Sequence, residues 1–129
     1  MPSEKLLSIG LIGLIFVGAL SQSSRVCSAE PAQFSIAIQG RKVDATQRTI
    51  RATQGQTLDL KFTADEVVEL HLHGYDRLLT VELGSVAVMR LHANTAGRFA
   101  IEGHRFGGGT GGSRSGRHVV LLYLEVHPQ

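Results

Sequence analysis

From Phe34 onward, apolar residues alternate with polar or small ones through most of the chain. Phe34-Ser35-Ile36-Ala37-Ile38 and Leu58-Asp59-Leu60-Lys61-Phe62 both have a period of two, the signature of a half-buried strand. Val68, Leu70 and Leu72 form a third inward row. Arg48 to Ala52, Leu79 to Leu83, Val86 to His92 and the run through Phe99 and Ile101 read as further strands. Turn signals separate them at Gly40-Arg41-Lys42, Gly55, Ala64-Asp65-Glu66, Gly74-Tyr75-Asp76, Gly84 and Asn94-Thr95-Ala96-Gly97. Val119 to Val126 is apolar at consecutive positions, which predicts a central strand buried on both faces. No window after residue 30 has a helical period. Some seven or eight short strands with regular turns, in roughly 100 residues, predict an all-β protein: an antiparallel β-sandwich or barrel. Its predicted inner layer is Phe34, Ile36, Leu58, Leu60, Phe62, Leu70, Leu72, Val81, Phe99, Ile101, Leu122 and Leu124.

The start of the chain follows a different pattern. Lys5 precedes an apolar run from Leu6 to Leu20, polar residues follow to Arg25, and Cys27-Ser28-Ala29 places small residues where a signal peptidase reads. Residues 1–29 are therefore expected to be a secretory signal, leaving one domain over residues 30–129. A membrane anchor fits less well, because the run falls short of the roughly 20 residues a spanning helix needs and Gly10, Gly13 and Gly18 interrupt it. Val26 before Cys27 also departs from a lipoprotein signal. The expectation is a periplasmic or secreted protein, free of the membrane once cleaved.

Cleavage changes the available chemistry. Cys27, the one cysteine of the chain, goes with the signal, so neither a disulfide nor a thiolate is available afterwards. Lys5, Arg25 and Glu4 go too, so the 13 basic and 11 acidic residues of the whole chain fall to 11 and 10. That near-neutral balance gives no reason to expect a nucleic-acid partner. The run Gly107 to Gly116 reads as a loop joining two strands. It lacks the Gly-Lys-Ser/Thr ending and the following helix of a phosphate-binding loop.

The candidate chemistry lies in two stretches. In a strand, residues two apart share a face, so Glu69, His71 and His73 line up on one side while Leu70 and Leu72 bury the other. Glu102 and His104 repeat the arrangement in Gly97-Arg98-Phe99-Ala100-Ile101-Glu102-Gly103-His104. Neutral imidazole is a usual ligand for copper and zinc. If the two strands are neighbours, His104 joins His71 and His73. The plain alternative is a solvated polar strand face. His92, His118 and His127 are weaker candidates, and His118 and His127 read as surface residues.

These runs, preceded by Gln54-Gly55-Gln56-Thr57-Leu58-Asp59-Leu60 and followed by the strand Val119 to Val126, resemble the cupredoxin family. His71-Leu72-His73-Gly74 is also similar to the His-x-His-Gly element of multicopper oxidases, which are built from cupredoxin domains. The resemblance implies an antiparallel Greek-key β-sandwich whose histidine-bearing strand ends meet at one pole. It also implies a bound Cu(II) or Zn(II), held by His71, His73 and His104 with Glu69 or Glu102 as ligand or supporting partner. This chain departs from the blue-copper pattern, since Phe99 and Ile101 stand where that pattern sets a cysteine and no methionine follows His104. A type 1 centre requires thiolate bonding and is excluded. Met89 is the one sulfur donor after residue 30, which disfavours a Cu(I) carrier.

The expected function is non-enzymatic metal binding outside the cytoplasm, with a possible partner protein in the periplasm. A metal-free β-sandwich interaction module is the alternative. A cupin-type metalloenzyme also uses a His-x-His strand, but the next glutamate here is Glu82, farther along than that pattern sets it. No Gly-x-Ser-x-Gly element supports a serine hydrolase.

Overall fold

The computed structural model describes residues 29–108 and 118–129. Residues 1–28 of the expected signal segment, Cys27 included, and most of the glycine-rich run lie outside them. Nine strands are present among the described residues: β1 (Ala32–Gln39), β2 (Lys42–Val43), β3 (Thr49–Thr53), β4 (Thr57–Ala64), β5 (Val68–Leu72), β6 (Arg77–Val81), β7 (Ala87–His92), β8 (Gly97–His104) and β9 (Val119–His127). They form a four-stranded sheet in the order β2-β1-β4-β7 and a five-stranded sheet in the order β3-β9-β8-β5-β6. No helix among the described residues is long and apolar enough to cross a membrane.

The inner layer follows the alternation. Leu58, Leu60 and Phe62 of β4 are fully buried, as are Leu70 and Leu72 of β5, Ile101 of β8 and Leu124 of β9. Burying each such side chain contributes about 1.5–3 kcal/mol of transfer free energy. Phe34 and Phe99 are half-buried and pack against this core from its margin.

Three expectations need correction. The sandwich is not purely antiparallel, because β1 runs parallel to β4 and β3 runs parallel to β9. The chain leaves β1 through β2 and β3 before returning as β4, and a connection of that length permits parallel pairing. A period-two pattern reads the same in either direction, so the alternation carried no information on this point. Secondly, β9 is central, between β8 and β3, but only one of its faces is buried. Val120 is 44% exposed. A bulge sets Ile101 opposite Leu122 and Glu102 opposite Val120, leaving Leu121 as the extra residue. The bulge is why Leu121 and Leu122 are both buried, and why the run looks apolar throughout. Thirdly, β6 begins at Arg77 and ends at Val81, leaving Leu83 exposed beyond it.

One short element was not foreseen, a 3-10 turn over Ala45–Gln47. Asp44 caps it by accepting hydrogen bonds from the Thr46 backbone N–H and hydroxyl.

Candidate metal centre

The β5–β6 hairpin begins the site. Gly74 has φ +81° and Asp76 has φ +52°, the left-handed conformations a tight reversal requires. The turn is held from outside as well. The Tyr75 hydroxyl donates to Thr95 O at 2.9 Å, and its ring meets Phe99 edge-on with centroids 4.8 Å apart. A Cβ on Gly74 would collide with the Phe99 ring. His73 is thereby held beside β8, and its backbone N–H donates to Ala100 O at 2.9 Å, extending the ladder one step past β5.

Register brings the remaining residues together. β5 and β8 are antiparallel neighbours, with Glu69 opposite His104 and His71 opposite Glu102. Since Leu70 and Leu72 face the core, Glu69, His71 and His73 project from the outward face of the five-stranded sheet, and Glu102 and His104 project beside them. His73 lies just past the end of β5 and His104 is the last residue of β8, and the histidines meet on the outward sheet face by diagonal pairing across the two strands. The His71 and His73 ring centroids are 4.2 Å apart, and those of His71 and His104 are 5.9 Å apart.

The donor atoms of His71, His73 and His104 all lie within 4.8 Å of one another. His73 Nε2 and His104 Nε2 are out of contact with solvent and have no hydrogen-bond partner. Buried polar atoms are nearly always partnered, and leaving one unsatisfied costs about 1–3 kcal/mol. Two such atoms converging within one three-histidine cluster are the chemistry of a metal site, so these residues fit an imidazole-bound ion.

Glu102 is the charged centre of the cluster. Its Oε2 lies 3.0 Å from His73 Nε2, 3.7 Å from His104 Nε2 and 3.4 Å from His118 Nδ1. The His73 contact is close but misaligned for a hydrogen bond. Partial burial works against ionisation of Glu102. The contacts with His73 and His118, and the positive charge His73 and His104 can carry, outweigh it and hold the carboxyl below its ordinary range. His104 is also pushed below its usual value, first by burial and then by His118 and His71, against the pull of Glu102 and Glu69. Both shifts favour the forms that bind metal, carboxylate and neutral imidazole.

The structure treats the other expected residues differently. Glu69 shares the face but turns toward Arg105, with Oε2 3.4 Å from Nη1, and stands outside the groups that can hold an ion. His71 Nε2 lies 3.3 Å from the exposed Asp76 carboxylate. His118 is exposed, as expected of a surface residue, yet its ring centroid is only 4.1 Å from that of His104. With Glu102 and His104 it forms a second group of mutually close donors. Its one sequence signal was its position just before β9, which is informative only once β9 is known to pair with β8.

No protein-family model matches the chain, and no curated protein matches it in sequence. Solved structures do resemble it in fold. A chain of a heme-copper terminal oxidase dimer superposes with a TM-score of 0.58 at 20% identity, over 78% of this chain and 68% of that one. A copper binding protein in its apo form gives 0.51 at 10% identity, over 76% of this chain and 91% of that one. A bacterial laccase-like multicopper oxidase from Ochrobactrum sp. gives 0.51 at 12% identity, with this chain spanning 31% of its length. The two mixed sheets and these neighbours agree with the residue pattern, and the chain folds as a cupredoxin-like domain that lacks the cysteine and methionine of a blue-copper site.

Proposed function

We propose that this protein is an exported copper-binding protein. In this reading His71, His73 and His104 hold one Cu(II) and Glu102 supplies the adjacent negative charge. The observation that carries it is the pair of buried, unpartnered Nε2 atoms on His73 and His104 within a three-histidine convergence. Copper in the names of the fold neighbours supports the choice of metal. So does the donor set, since imidazole and carboxylate without sulfur suit Cu(II) rather than Cu(I). The bound ion would bring a pale centre without an intense thiolate band, and no catalytic role is assigned. Export rests on the signal-like residues 1–29.

Metal analysis of protein taken from its native compartment, with mass spectrometry of its N-terminus, tests the reading. One copper per chain and a mature start near Glu30 are expected. A product retaining Met1 would sink the export part and return Cys27 to the chemistry. A metal-free interaction module is the second reading. It is favoured by exposed Leu78 and Val120, which lie in register with His71 and Glu102 on the same face. It takes over if native protein carries no metal and binds none at micromolar Cu(II).

A further inference from the structure

The mutually close donor atoms among the described residues form two triads, not one cage. One is His71, His73 and His104; the other is Glu102, His104 and His118. We propose that Glu102 and His118 form an outer copper position through which Cu(II) reaches and leaves the three-histidine site, with His104 a ligand in both. The inference rests on the copper-binding reading above and adds a route to it.

Four observations support the assignment. Donors to one first-row ion, each bound at about 2.0–2.1 Å, lie no more than roughly 4 Å apart. The donors of each triad lie within 4.8 Å of one another, so a small contraction brings either set onto one ion, whereas His118 does not join His71 and His73 in one group. His118 is the most exposed of the five side chains, at 64% against 45% for His73, 23% for His71, 19% for Glu102 and 17% for His104, so it is the donor most open to an arriving ion. The outer set also contains the carboxylate, whose charge attracts a hydrated dication at the surface. Finally, both unpartnered Nε2 atoms, those of His73 and His104, belong to the inner set, and only that of His104 belongs to the outer one.

The exchange needs no electron transfer and no broken covalent bond in the protein. Glu102 and His118 release the ion as His71 and His73 take it, while His104 stays bound throughout. The two positions are adjacent, since Glu102 Oε2 is 3.0 Å from His73 Nε2. With one His104 nitrogen serving both positions, they are filled in turn and the stoichiometry stays at one.

The test is His118→Ala in stopped-flow uptake of Cu(II) and in removal of Cu(II) by EDTA, beside an equilibrium competition titration. His118 is exposed, so the variant is expected to fold, and its thermal midpoint without metal checks this. Uptake and removal should both slow by about tenfold while equilibrium affinity stays within about threefold, less than loss of a direct ligand would cost. Faster removal with weaker affinity overturns the proposal by making His118 an ordinary ligand. Unchanged rates overturn it by making His118 a bystander. Two coppers per chain with histidine signatures in electron paramagnetic resonance overturn the sharing of His104. If the parent takes up no Cu(II), the copper reading and this inference fall together. If the parent binds through His71 and His73 but exchanges at a rate indifferent to His118, only this inference falls.

Discussion

His104→Ala is the most informative single perturbation, because His104 belongs to both donor triads. Without metal the substitution should change stability little. It removes a buried nitrogen that has no partner, a gain of about 1–3 kcal/mol, and loses packing of similar size. With metal the two proteins should diverge. Free Cu(II) at 100 times the dissociation constant adds about 2.7 kcal/mol to the parent if only the native state binds. A domain of this size shifts its Tm by about 4–8 °C per kcal/mol, so the parent should gain about 10–20 °C. Loss of a ligand should weaken binding by roughly a hundredfold, the upper end of what removal of a mere supporting partner costs. The same copper concentration then only matches the variant's dissociation constant. The stabilisation falls to about 0.4 kcal/mol, a gain of about 2–3 °C. Thermal unfolding followed by circular dichroism, with and without Cu(II) and with an EDTA control, reads both effects. Equal gains for parent and variant would refute the reasoning by placing the metal elsewhere.

Leu72→Ala removes a fully buried side chain between the two site histidines and should cost about 2–5 kcal/mol by urea denaturation. A cost under about half a kilocalorie would mean that the faces of β5 are assigned the wrong way round. Gly74→Ala should cost about 2–4 kcal/mol, from its positive φ and the collision with Phe99, while Gly40→Ala, at φ +54° with open space around it, should cost only about 1–2 kcal/mol. Equal costs at the two glycines would remove Phe99 from the account of the turn. On the opposite sheet, bidentate hydrogen bonds from Arg90 hold Asp59 below the usual carboxylate range against the effect of burial. A depressed folded pKa contributes stability above the unfolded value of about 3.9, and that stability is lost as pH falls through the lower folded value. Asp59→Asn should therefore be less stable at neutral pH and should flatten the acid limb of the stability–pH curve; an unchanged acid limb would show that other carboxylates set it.

The sequence by itself determined the strand identities and the faces of β4, β5 and β8. Alternation is local, and a buried row such as Val68, Leu70 and Leu72 leaves Glu69, His71 and His73 only one side to occupy. It also broke the blue-copper pattern, because Phe99 and Ile101 stand where that pattern sets a cysteine and no cysteine follows Cys27. Strand direction was not legible, since the pattern of β1 or β3 is the same whether its neighbour runs parallel or antiparallel. Nor was the bulge at Leu121, which disguised a one-sided strand as a doubly buried one. The site itself was only half written in the chain. His71 and His73 meet through local geometry, but His104 joins them because β5 and β8 pair with Glu69 opposite His104, and His118 arrives because β9 lies on the far side of β8. Those registers are set by side chains far apart in sequence packing into one core. The tertiary structure therefore decided that the cluster lies on the sheet face and that Glu102 stands between His73 and His118.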